Sequence, residues 1–211
     1  MLTPDQLYQI LYQNMGPQYW WPASNHIEMM LGAILVQNTR WHNAAMALQQ
    51  LQQQTDFKPQ KILKLTQSEL QTLIHSSGFY KSKATTIINL LTWLAKQDFN
   101  YDKINQFYGE QLRQQLLTIK GIGSETADVL LVYIFKRVEF IPDNYTRRIF
   151  YKLGYSNTIN YDKFKKEVVL PQYFNNQDAN EFHALLDHFG KCYFNDKDME
   201  HFGFLQPYFV R

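Results

Sequence analysis

The stretch 119-IKGIGSETADVLLVYIF-135 sets two glycines one residue apart at the mouth of an apolar-striped helix. Glycine takes positive φ and, having no Cβ, lets another backbone come close. Gly121-Ile122-Gly123 therefore reads as a tight turn, with Ile122 anchoring it in the core. Beyond it, Ala127, Leu130, Leu131, Ile134 and Phe135 follow the i, i+3, i+4 spacing of a half-buried helix. A helix leaving such a turn directly points its first N–H groups, with their partial positive charge, at whatever lies outside, and suits a phosphate oxygen. An ordinary helical hairpin satisfies the same three residues, so the neighbouring sequence has to decide.

Working outward, the same periodicity recurs in Ile27, Met30, Leu31, Ile34 and Leu35, in Ala84, Ile87, Ile88 and Leu91, and in Phe182, Leu185, Leu186 and Phe189. Gly78 and Gly121 separate helices, Pro142 blocks continuation after Phe140, and Gly154 closes the helix through Leu153. The spacing predicts an all-α protein of roughly nine to eleven helices.

The 211 residues, 45% apolar and 16% aromatic, suffice for one large domain or two small ones sharing a cleft. A net charge of only +2 means that nucleic-acid binding would need a local patch, and Lys120, Lys136, Arg137, Arg147, Arg148 and Lys152 do cluster. The single cysteine, Cys192, cannot form an intrachain disulfide or supply the four thiolates of an iron–sulfur cluster. No run approaches the ~18 apolar residues of a membrane span, and the N-terminus lacks a basic start and an apolar stretch, which predicts a cytoplasmic protein with no membrane partner. The six histidines show no metal-binding spacing, so no metal site is expected. Nothing matches a P-loop or a dinucleotide fingerprint.

Together, Leu116-Leu117-x-x-Lys120-Gly121-Ile122-Gly123-x-x-Thr126-Ala127-Asp128 and an aspartate 15 residues further on, in 141-IPDNYTRR-148, resemble the helix-hairpin-helix DNA glycosylases of the endonuclease III type. Upstream, 28-EMMLGAILVQNTRW-41 looks like that family's first core helix and its DNA-inserting Gln-x-Thr. The segment 73-LIHSSGFYKSKATTI-87 looks like its second glycine-centred hairpin. Two departures narrow the resemblance. Bifunctional members carry a Schiff-base lysine where this chain has Glu125, and endonuclease III itself holds a cysteine-bound cluster. Trp20-Trp21-Pro22, Gln37-Asn38-Thr39-Arg40-Trp41, Gly121-Ile122-Gly123-Ser124-Glu125 and Gly190-Lys191 bring the chain closer to the cluster-free 3-methyladenine DNA glycosylase III group.

The resemblance implies two helical subdomains flanking a DNA-binding cleft. One spans residues 27–138, with the helix-hairpin-helix at 111–135, and the other combines 1–26 with 139–211. It implies base flipping and a monofunctional hydrolysis of alkylated purines, 3-methyladenine foremost. Asp143 would stabilise an oxocarbenium-like sugar and position water, although an aspartate there also suits a helix N-cap. Glu125 would contact the base, orient Lys191, or only complement the helix start. Trp20, Trp21, Pro22 and Trp41 would form a flat slot for a cationic purine, worth ~1–2 kcal/mol of cation–π attraction when desolvated, with Lys191 and Lys197 approaching it. Core packing is the competing reading of the tryptophans, and surface charge that of Lys197.

Gln37, helped by Asn38, would fill the space of the flipped base, or else cap a helix end. Lys120, Gly121, Ile122, Gly123 and Ser124 would hold one DNA phosphate, with Arg147 or Arg148 on the backbone nearby. The family precedent adds an alkali cation on the hairpin carbonyls and no other cofactor. The expected partner is double-stranded DNA with damaged bases, met by a monomer associated with the nucleoid. An endonuclease III-like enzyme for oxidised or mismatched bases and a non-catalytic helix-hairpin-helix DNA-binding protein are the alternatives.

Overall fold

The computed structural model describes residues 1–19, 23–195 and 199–210. Among the described residues, thirteen α-helices follow one another: α1 (Pro4–Met15), α2 (His26–Leu35), α3 (Trp41–Thr55), α4 (Pro59–Ile62), α5 (Gln67–Leu73), α6 (Tyr80–Ala95), α7 (Tyr101–Tyr108), α8 (Leu112–Leu117), α9 (Ser124–Tyr133), α10 (Asn144–Lys152), α11 (Tyr161–Glu167), α12 (Asn176–Tyr193) and α13 (Met199–Phe202). Short 3₁₀ turns lie at His75–Ser77, Gly109–Gln111 and Gly203–Tyr208, and the described residues hold no strand. The all-α expectation holds, with more helices than the periodicity predicted. Four-residue elements such as α4 are too short to show a stripe, and only a proline at the first turn and a basic last turn mark it. No helix among the described residues is long and apolar enough to cross a membrane.

The chain divides into two compact units, Trp21–Phe135 and Met1–Trp20 with Lys136–Arg211. The first packs α2 to α9 around Met30, Leu31, Ile34, Leu35, Leu51, Leu90, Leu116, Leu130 and Leu131, all at most 1% exposed. Helix α9 is buried almost all round, from Thr126 to Val132, which makes it the unit's central post. Asp128, fully buried on α9, takes two bonds from Arg113 on α8 (Nε–Oδ1 2.8 Å, Nη2–Oδ2 3.2 Å). That bidentate pair clasps the two helices on either side of the glycine turn; buried carboxylates are found where such pairing compensates them.

The second unit is built on aromatic packing. Tyr8 of α1, Phe140, Phe150 of α10, Phe164 of α11, and Phe182 and Phe189 of α12 form its core. Their rings meet edge to face, as Phe140–Phe150 does at 5.5 Å and Phe150–Phe164 at 5.3 Å. Gly190 is what lets α10 come so close to α12: a Cβ there would stand 2.4 Å from Tyr145 Cβ. Polar caps start most of these helices, among them Thr3 with Gln6, Thr66 with Glu69, and Asn175 with Asp178 as reciprocal capping boxes.

Candidate functional site

In the 21–135 unit, three loops come together on α6. The glycine turn runs from the C-terminus of α8 to Gly123, the N-cap of α9. Gly121 has φ +97°, and a Cβ on it would lie 1.9 Å from Thr86 Oγ1 of α6, so both its dihedral and its surroundings require glycine. Gly123 differs from the sequence expectation: its φ is −92° and nothing stands within 4 Å of a Cβ built there. The fold itself therefore does not demand glycine at this position. Ile122 is buried beneath the turn, while Lys120, Gly121 and Gly123 are exposed and Ser124 half-buried. The Lys120 carbonyl accepts from Asn89 Nδ2 of α6 at 3.2 Å. That of Ile119 accepts from the Ile122 N–H at 2.9 Å. Each carbonyl oxygen keeps a second lone pair, so an alkali cation would find ligands here. Glu125 is exposed in the first turn of α9.

The second loop follows α2. Asn38 is exposed and left-handed at φ +53°, at the edge of an open hollow of about 840 Å³ lined by Asn38, Thr39, Arg40, His42 and Asn43. Beside it, the half-buried amide of Gln37 donates to Thr126 Oγ1 of α9 at 2.6 Å. Trp41 opens α3 and is 42% exposed.

The third loop precedes α6. Phe79 stands there in the left-handed region at φ +48° and is 69% exposed. A strained phenylalanine aimed at solvent is a feature that sequence reading passed over. Its only linear trace is the Gly78-Phe79 pair between two helices.

In the other unit, Asp143 is the N-cap of α10, its Oδ1 accepting the Thr146 N–H at 2.7 Å. The side chain is 13% exposed, and Oδ2 lies 3.7 Å from Nε2 of the buried His183 on α12, an electrostatic approach rather than a short hydrogen bond. Burial works against this carboxylate's charge, but the imidazole of His183 and the Thr146 amide outweigh it and hold the group below its ordinary range. Capping and a charged, presented carboxylate are thus compatible, one oxygen serving each. One helical turn beyond His183, Asp187 pairs with Lys191 at 2.5 Å. Burial first, and the Asp143 charge next, push Asp187 up to about 6. The stripe His183–Asp187–Lys191 at i, i+4, i+8 was legible as a spacing, but nothing local said that Asp143 would face it.

The two arginines after Asp143 part company. Arg147 is half-buried, with Nε donating to the carbonyls of Pro142 (3.1 Å) and Asp143 (3.3 Å) and Nη1 to that of Ile159 (2.8 Å). It staples the loop before α10 to the loop after it. Arg148 is exposed, with its guanidinium 3.8 Å over the Phe194 ring. Lys191 is nearly half exposed. Trp20, Trp21, Pro22 and Lys197 lie outside the described residues. The described residues hold no group of three metal-ligating side chains.

A buried helix after a glycine turn, and a capping carboxylate held charged on the next helix, define a class that the chain's relatives name. The family described as the HhH-GPD superfamily of base excision DNA repair proteins matches residues 31–171, and the chain belongs to it. Its class is that of the base excision repair DNA glycosylases. A Methanocaldococcus jannaschii protein assigned as a DNA repair glycosylase is 36% identical over 86% of this chain and 84% of its own. Endonuclease III of Sulfolobus acidocaldarius is 28% identical over 78% of this chain and 72% of its own. Among solved structures, the H. pylori 3-methyladenine DNA glycosylase bound to 1,N6-ethenoadenine superposes with a TM-score of 0.74 at 27% identity, over 90% of this chain and 98% of that one. A non-covalent endonuclease III–DNA complex, at 20% identity and a TM-score of 0.70 over 91% of this chain and 88% of its own, shares the fold.

Proposed function

We propose that this glycosylase hydrolyses the N-glycosidic bond of alkylated purines in double-stranded DNA, 3-methyladenine foremost, without lyase chemistry. The observation that carries the reading is Asp143: a largely covered carboxylate, kept ionised by its cap and by His183. A purine nucleotide alkylated at N3 or N7 is a cation, and its base leaves readily. As the bond to C1′ breaks, its electron pair goes to the purine, which departs neutral, and positive charge develops on the sugar. Asp143 stabilises that charge and orients the water that adds to C1′, the surplus proton passing to solvent. A general acid is not required. Glu125, standing where bifunctional relatives carry lysine, supports hydrolysis over a Schiff base, and the 27% likeness to a 3-methyladenine glycosylase supports the substrate class.

DNA would be gripped by the N–H groups at Gly123–Glu125 and by Arg148, with Asn38 and the exposed Phe79 entering the stack. Apolar wedges of this kind unstack base steps and help turn a nucleotide out. An endonuclease III-like specificity remains the second reading, favoured by relatives of that name at 28% identity.

The test is release of alkylated base from a methylated duplex by wild type and Asp143→Asn. Wild type should release 3-methyladenine, and the variant should do so about a hundredfold more slowly or worse. No release by wild type would remove the substrate assignment, and equal release by both would remove Asp143 from the reaction. Borohydride trapping on abasic DNA should leave no covalent complex; a trapped species would overturn the monofunctional reading.

A further inference from the structure

Lys83 is 4% exposed on α6, and the proposed reaction does not use it. Its ammonium donates to the carbonyl of Leu35 at 2.8 Å and to that of Ser77 at 2.7 Å. Both oxygens sit at helix ends, Leu35 closing α2 and Ser77 closing the short 3₁₀ turn, where carbonyls lack helical partners and carry partial negative charge. Burial pushes the ammonium down to about 8, which still leaves it protonated at neutral pH. Three residues beyond Leu35 stands Asn38, and two beyond Ser77 stands Phe79, both exposed and both left-handed. One buried cation thus lies at the root of two strained tips. Thr86 and Asn89, further along α6 at three-residue steps, meet the glycine turn.

We propose that Lys83 is a positioning residue that locks the Asn38 and Phe79 tips into one rigid wedge, so that they enter DNA together rather than as two independent side chains. This rests on the reading above that these tips meet DNA. A purely structural lysine would stabilise the unit without making the two tips interdependent. An apolar isostere, by contrast, would release both helix ends at once and let each tip move alone.

The experiment uses a duplex carrying 2-aminopurine beside a tetrahydrofuran abasic analogue, whose fluorescence rises when the neighbouring base unstacks. It needs no base release, so a failed substrate assignment leaves it readable. Asn38→Ala, Phe79→Ala and the double variant form a mutant cycle. In wild-type background the double variant should lose scarcely more unstacking than the worse single one, a coupling of about fivefold or more. Lys83→Met should lose as much unstacking as the double variant, with duplex affinity within about threefold of wild type, because the glycine turn is untouched. Additive effects of the two tips would overturn the proposal, as would a folded Lys83→Met that unstacks like wild type. Should Lys83→Met fail to fold, by circular dichroism, the cycle alone decides.

Discussion

The two units build their candidate contacts from different materials. Around α6 the chain offers backbone: N–H groups at Gly123–Glu125, carbonyls held by Lys83 and Asn89, and two left-handed tips. Around α10 and α12 it offers side chains, with Asp143, His183, Asp187 and Lys191 in one charged run. A backbone surface depends on dihedrals and close approach, so it tolerates most substitutions and fails at particular glycines. A charged run depends on which atom carries the proton, so it fails at single-atom changes that leave the shape intact. The division suits a glycosylase, which must hold any sequence by its phosphates yet act on one chemical feature.

The largest effect should come from testing the first half of that contrast at its two glycines. Gly121→Ala adds a Cβ 1.9 Å from Thr86 Oγ1 at a φ of +97°. Backbone strain and overpacking together should cost about 2–5 kcal/mol by denaturant unfolding. Gly123→Ala has ordinary dihedrals and open space, so it should change stability by less than about 0.5 kcal/mol. If it nonetheless weakens duplex binding, the turn meets DNA by close backbone approach; equal stability loss for both variants would sink the contrast. Next in size is Gly190→Ala, whose Cβ would stand 2.4 Å from Tyr145 Cβ. Pushing α10 from α12 should cost about 1–3 kcal/mol and lower base release besides, since Asp143 rides on α10.

The glycine turn was legible because its information is local: two glycines, an apolar period, and an aspartate at a fixed distance. So was the all-α class. Lys83 was not, since in 73-LIHSSGFYKSKATTI-87 it looks like one of two surface lysines, and its carbonyl partner Leu35 is 48 residues away. Only the packing of α6 against α2 turns it inward. The partners of Gln37 and Arg147 were hidden for the same reason: Thr126 and the 158–159 loop, to which they donate, are brought to them by tertiary packing.

The charged run makes a prediction about pH. Asp187, raised to about 6 from an ordinary 3.8, binds its proton more tightly folded than unfolded. Its contribution to stability is therefore fully present below pH 4 and is lost as pH rises through 6, amounting to about 3 kcal/mol. Asp187→Asn should be more stable than wild type by roughly that amount at pH 7, and the gap should close towards pH 4. A gap that stays constant with pH would mean that Asp187 is not the group being ionised. Gly121→Ala in the other unit acts through sterics and dihedrals, so it should shift stability without this pH signature.

A smaller effect than that of Asp187 probes the tie between His183 and the carboxylate. At 3.7 Å the imidazole is close enough to favour the charge of Asp143 but too far for a strong bond, so its removal should weaken rather than abolish the reaction. His183→Leu should slow single-turnover base release by about tenfold, equivalent to about 1.4 kcal/mol. Affinity for an abasic-analogue duplex should stay unchanged, because the phosphate contacts proposed above do not involve His183. His183→Asn keeps a neutral donor of shorter reach and should recover part of the rate. A packing role alone would instead lower thermal stability equally in both variants and leave the asparagine no faster than the leucine. If that is the outcome, the α12 stripe serves to fill space beneath α10, and Asp143 owes its charge to the helix it caps.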